Sequence, residues 1–144
     1  MVLLFPLKTK FKKYHKRIKT LERKESNYNQ PLFGFYGLKI KKSFRLTSVQ
    51  IETLKKSISK ILKKNSKGKT RSRLCIFPDL SVTKKATGLR MGKGKGNVEF
   101  WCSLLKKGRI ILELNKHNMP KSLAYKAFFL AGQKLPGFSV PIVF

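Results

Sequence analysis

Carboxylates are scarce in this chain: six Asp and Glu stand against 34 Lys and Arg in 144 residues, a formal net charge of +28. That shortage argues against general acid–base catalysis, which needs a carboxyl group with a raised pKa. Lysines around Glu99 and Glu113 hold both ionised, so each is expected to make a structural pair with Lys or Arg. Cysteine is limited to Cys75 and Cys102, with no CxxC and no Cys/His spacing, which predicts neither a zinc site nor a disulfide scaffold. Both are read as reduced, buried, small apolar side chains. His15 and His117 have no Ser, Cys or Asp around them in a nucleophilic pattern; His15 reads as a phosphate or sugar contact and His117 as solvated. No apolar run approaches the ~20 residues that span a bilayer. The chain is therefore expected to be no enzyme, and to take no cofactor, metal or small-molecule substrate.

What is present is positive charge on a foldable background. A chain carrying +28 repels itself unless a polyanion neutralises it. Nucleic acid is the first candidate, with an anionic membrane surface as the alternative. The 41% hydrophobic content, with eleven Phe, exceeds what a disordered chain carries, and the length fits one domain. Met1 to Leu7 is apolar before the chain becomes basic, the reverse of a secretory signal, and an Arg-rich amphipathic transit segment is not visible. The cations are 27 Lys against 7 Arg, which hints at an A-rich coding sequence.

Residues 1–31 read as a basic N-terminal arm and linker, and 32–144 as a single α+β domain. Within the arm, residues 8–24 hold nine cations and one acid, Glu22, interleaved with Phe11, Tyr14, Ile18 and Leu21. This segment is either a helix with one apolar stripe or an extended arm reaching roughly 65 Å. Leu32 to Ile40 reads as a strand in which Gly34 and Gly37 mark bulges or close backbone approach. Thr47 and Gln50 form a capping box for a helix, and Leu46 with Ile51 a hydrophobic staple. Ile51, Leu54, Ile58, Ile61 and Leu62 share one face of that helix, while Lys55, Lys56, Lys60, Lys63 and Lys64 take the rest. Asn65 to Thr70 is a basic loop around Gly68, and Arg71 to Phe77 a second strand. Val98, Phe100, Cys102 and Leu104 alternate with Glu99, Trp101 and Ser103. Beyond a Lys106-Lys107-Gly108 turn, Ile110, Leu112 and Leu114 alternate likewise. The pattern predicts an antiparallel hairpin with one apolar core face, Trp101 lying opposite it, either stacked on a base or covered by the arm. A second helix opens at Asn118 and Pro120 and places Leu123, Ala124, Ala127, Phe128, Ala131 and Leu135 on one side. Phe138 to Phe144 is a last strand. The elements predict a mainly antiparallel sheet with two helices packed on one face.

The run Arg90-Met91-Gly92-Lys93-Gly94-Lys95-Gly96-Asn97 alternates glycine with lysine and then enters a hydrophobic strand. Its glycines admit positive φ and a close backbone approach, and its cations suit a phosphate backbone. The spacing fits neither a P-loop nor a dinucleotide fingerprint: Asn97 stands where the latter needs a third glycine, and a strand follows instead of a helix. The aromatics of 32–36 do not match the aromatic strand motif of an RRM.

These segments carry a resemblance. Leu7 to Lys16, FGFYGLK at 33–39, IFPD at 76–79, RMGKGKGNVEFW at 90–101 and Ala127 to Pro136 occur in one order. Together they resemble ribosomal proteins of the L-sixteen/L-ten-e family, bacterial and organellar branch, over nearly the whole chain from about residue 6. The resemblance implies a large-subunit component bound to rRNA near the A site, with A-site tRNA and neighbouring ribosomal proteins as partners. By motif position, Arg90, Met91, Gly92, Lys93, Gly94, Lys95, Gly96 and Asn97 form the loop directed at A-site tRNA and the peptidyl-transferase region. Lys8, Lys10, Lys12, Lys13, His15, Lys16 and Arg17 form the arm on rRNA, joined by Lys39, Lys55 and Lys56. Peptide-bond chemistry belongs to RNA, so these residues orient and neutralise. Lys121-Ser122 depart from the acids that commonly open the family's second helix, and 19–30 and 64–73 match poorly. Lysine-rich drift points to a mitochondrial ribosome, with a plastid or an AT-rich bacterium looking similar. A free-standing nucleic-acid chaperone is the competing class.

Overall fold

Thr47 and Gln50 start the first helix by a reciprocal exchange: the Thr47 N–H donates to Gln50 Oε1 at 3.0 Å, and the Gln50 N–H to Thr47 Oγ1 at 3.3 Å. Two of the four orphan donors of a helix start are satisfied this way. Leu46 and Ile51, the expected staple, are both fully buried. The computed structural model describes residues 4–15, 24–25, 30–65, 72–92, 94–115 and 119–143. Among them the elements run β1 (Tyr36–Ile40), β2 (Phe44–Thr47), α1 (Ser48–Asn65), β3 (Ser72–Leu74), β4 (Leu80–Lys84), β5 (Asn97–Leu105), β6 (Ile110–Leu114), α2 (Lys121–Gly132) and β7 (Ser139–Val143). The fold is α+β. The described residues 4–15 carry neither helix nor strand; 16–23, the linker residues 26–29 and the loop residues 66–70 lie outside the described set.

The strands form two antiparallel sheets, ordered β3-β6-β1-β7 and β2-β5-β4. This corrects the hairpin read from the alternation at 98–114. β5 spends both edges on β2 and β4, and β6 spends both on β3 and β1, so neither edge is left for the other. The turn at Lys106 to Gly108 is real, but it carries the chain from one sheet to the other. Gly108 takes φ +93° there, and its N–H donates to Ile40 O at 2.8 Å. The crossing at 41–43 runs alongside, with the Lys107 N–H donating to Ser43 Oγ at 2.8 Å.

The C-terminal half of β5 is covered on both faces: Cys102, on the side the alternation puts inside, is buried, and so are Ser103 and Leu105 on the other side, which pair with Leu46 and Phe44. Phe100, expected inside, is 37% exposed, and Trp101 is half-buried. The bulge between Val82 and Thr83, where the partner residue steps from Phe100 to Val98, leaves Glu99 unmatched across the ladder. β6 is buried at all five positions, Glu113 included. A strand with both faces covered has no polar side, so alternation could not describe it.

Helix α1 buries Ile51, Leu54, Ile58 and Leu62 against the sheets and turns its lysines outward. Helix α2 buries Leu123, Ala124, Ala127, Phe128 and Ala131 of the predicted stripe and packs on α1 and β7, whereas Leu135, expected on the same side, lies beyond the helix end at Gly132 and is half-buried. Its first turn has no acid and no side-chain cap. Truncation tests the two contributions separately. Thr47→Ala should lower unfolding free energy by about 1 kcal/mol through the lost cap, and Ile58→Ala by about 2–5 kcal/mol through the cavity it leaves. Urea titration followed by circular dichroism measures both.

Candidate nucleic-acid interface

The Gly–Lys run is the tip of a hairpin. β4 and β5 pair up to Lys84 opposite Asn97, so residues 85–96 form one long loop between adjacent strands. Strand β4 had no part in the sequence reading, because Pro78-Asp79 and a short mixed segment masked it. Loops of this length without elements of their own are uncommon in compact domains unless they serve a site. Gly92 and Gly94 take φ +101° and +83° with open space around them, so their conformation, not crowding, requires glycine. Gly96 is the reverse case: a Cβ there would meet the carbonyl of Lys84 and come within 2.7 Å of the Lys85 nitrogen. It seats the returning limb against the outgoing one.

Cations dominate this tip. Lys84, Arg90 and Lys95 are exposed, Lys85 is half-buried, and Met91 projects almost entirely into solvent. Lys85 Nζ donates to Gly92 O at 2.6 Å, which braces the loop from within. Glu99, the carboxylate on this face, pairs with Lys84 at 3.3 Å, as expected. Lys84 and Lys85 were not among the residues singled out by sequence; their adjacency to the Gly–Lys run was the available signal.

The N-terminal segment docks on the same tip. Lys13 Nζ donates to Lys95 O at 2.9 Å, and Lys95 Nζ donates in return to Tyr14 O. Residues 82 apart in sequence thus form one cationic surface. Lys8, Lys10, Lys12, Lys13 and His15 are exposed along the segment. Lys55 and Lys56 are exposed on α1, Lys56 lying 3.8 Å from Glu52, whereas Lys39 is half-buried in β1. Lys16, Arg17, Lys93 and His117 lie outside the described residues. No helix among the described residues is long and apolar enough to cross a membrane, and none of their His, Cys, Asp and Glu side chains cluster as metal ligands.

Glu113 departs from the expected Lys or Arg pairing. It is buried, and its carboxylate accepts the backbone N–H groups of Leu32 (3.0 Å), Phe33 (2.9 Å) and Gly34 (3.1 Å). Cys75 is half-buried and Cys102 buried, both free thiols. Burial, then the Glu113 carboxylate, pushes the Cys75 thiol from the ordinary 9.0 up to about 11. Burial likewise raises Cys102.

Two measurements follow from this geometry. Lys95→Met removes the donor to Tyr14 and should speed tryptic cleavage at Lys12 and Lys13 several-fold, read by mass spectrometry. A thiol raised in the folded state favours folding while it stays protonated. Its contribution is complete below pH 9 and lost as pH climbs through about 11. Cys75→Ala should therefore flatten part of the stability decline between those values, and Cys75 should react with disulfide reagents only as pH approaches 11.

Comparison with known proteins identifies the family. The family model for ribosomal protein L16p/L10e matches residues 6–140. The chain is 43% identical over 135 residues to the large ribosomal subunit protein uL16 of Blochmanniella pennsylvanica (strain BPEN), covering 94% of each. It is 38% identical over 134 residues to the large ribosomal subunit protein uL16 of Hamiltonella defensa subsp. Acyrthosiphon pisum (strain 5AT), covering 93% of this chain and 92% of that one. A glycine-and-lysine hairpin tip on a two-sheet α+β body, matched at this identity over nearly its whole length, belongs to the ribosomal protein L16p/L10e family.

Proposed function

We propose that this chain, a structural constituent of the large ribosomal subunit, binds rRNA near the A site and helps position A-site tRNA close to the peptidyl-transferase centre. The observation that carries the reading is the joint surface of the 85–96 hairpin tip and the N-terminal segment, held together by the Lys13 and Lys95 contacts. Cations from three separate stretches, Lys13, Lys84 with Lys85, and Arg90 with Lys95, come together there, and Glu99 at the base of the tip is paired with Lys84. Such a surface neutralises phosphates, and Glu99 on it is paired with Lys84, so the reading is that it orients RNA and leaves chemistry to it. The residues Lys8, Lys10, Lys12, Lys13, His15, Lys16 and Arg17 act as an arm on rRNA, with Lys39, Lys55 and Lys56 adding contacts from the body. Arg90 to Asn97 face tRNA. Lysine in place of most arginine supports the mitochondrial ribosome as the host particle.

The test is charge reversal at the tip. Lys93→Glu with Lys95→Glu should leave the domain folded, while large subunits carrying it mature slowly or bind A-site tRNA weakly. For the isolated chain on rRNA, each lost phosphate contact lowers the slope of log affinity against log salt by about 0.7–0.9, so the pair should lower it by roughly 1.5. Ribosomes that assemble and translate normally with both changes would overturn the tip's role. Sedimentation with mitochondrial large subunits in high salt supports the proposed compartment, and recovery from plastid or bacterial particles overturns it.

A further inference from the structure

Away from the hairpin tip, a buried carboxylate builds an aromatic platform on the surface. Glu113 is 2% exposed on the inner strand β6, and spends both oxygens on three consecutive backbone N–H groups, those of Leu32, Phe33 and Gly34. That clamp fixes the backbone from which the Phe33 ring projects. Gly34 completes it: a Cβ at this position would stand 2.8 Å from Leu114 O, so only glycine lets the segment lie this close to β6. Across the sheet, Arg73 on β3 is the ladder partner of Glu113 and lies on the same face. Its guanidinium carbon sits over the Phe33 ring, 3.2 Å from the centroid. Phe33 nevertheless stays 57% exposed and its neighbour Leu32 60% exposed, and Arg73 itself is exposed.

A rigidly held ring with a guanidinium already on one face, and much of its surface in water, has the form of a stacking site. Aromatic rings and arginine planes are the two protein surfaces on which unpaired bases stack, each base contributing without regard to sequence. An exposed phenylalanine gains nothing from water, and a buried carboxylate accepting three backbone N–H groups is a costly way to hold one on display. We infer that the Arg73–Phe33 pair is a docking platform for one unpaired nucleobase of the bound RNA, preorganised by Glu113. This rests on the RNA-binding reading above, and extends it from phosphate contacts to a base-contacting subsite on a different part of the body. Glu113 is a positioning residue here, since it touches backbone and not RNA.

The test uses the full chain and a single-stranded oligouridine bearing one 2-aminopurine, whose fluorescence falls when the base stacks. Wild type should bind with a steep salt dependence and quench the probe. Phe33→Leu keeps every backbone N–H that Glu113 accepts, so thermal melting should be unchanged. It should lose the quench and weaken binding by about 5- to 100-fold, with the salt slope intact. Arg73→Lys keeps the charge but not the plane, and should lose most of the quench as well. If both variants bind and quench as wild type does, the platform is overturned while RNA binding stands. If wild type itself binds no RNA, the reading beneath it falls instead.

Discussion

Three of this protein's six carboxylates are turned inward, and the attachment of its N-terminal stretch depends on where they go. Glu25, Glu52 and Glu113 are all buried. Glu113 clamps the backbone at 32–34, Glu52 accepts the Leu4 N–H at 3.2 Å, and Glu25 lies 4.0 Å from Arg109. Each ties a segment near the N-terminus to the body. The acids therefore act as internal fasteners for a basic leading segment, and charge that would otherwise neutralise the surface is spent inside. Charge-assisted hydrogen bonds to backbone suit this use, because they need no cation as partner.

The division into two sheets follows the same economy of contact. The sheet β3-β6-β1-β7 holds a strand buried on both faces and supplies most of the core. The sheet β2-β5-β4 is smaller, and its β4–β5 hairpin carries the glycine-rich tip away from that core. Gly96 locks the base of the tip by close approach, and Lys85 braces it by one bond to Gly92 O. The tip's shape is thus set by local contacts, while its far end remains free to meet a partner.

Much of this was legible from residues alone, and the misses have physical causes. The capping box, the staple and the α2 stripe follow from local spacing, and the structure has each of them. The alternation at 98–114 misled because an apolar period of two says that a strand is half-buried, not which strand it pairs with. On β5 the alternation holds for Cys102 and fails for Phe100, because pairing with β2 covers Ser103 and Leu105 on the other side as well while Phe100 stays partly exposed. Glu113 was assigned a basic partner because nothing local announces that three backbone donors, some eighty residues upstream, will reach it. Docking of residues 13 and 14 on Lys95 was invisible for the same reason.

That long separation bears on how the protein is made. Translation at about 5–20 residues per second puts Lys13 outside the peptidyl-transferase centre roughly 4–16 seconds before Lys95 is added, since the two are 82 positions apart. Throughout that interval the nascent leader is a run of unpaired cations with its docking surface not yet synthesised. A polyanion or a chaperone that shields it during elongation would decide whether it reaches its seat or is captured by the nearest RNA.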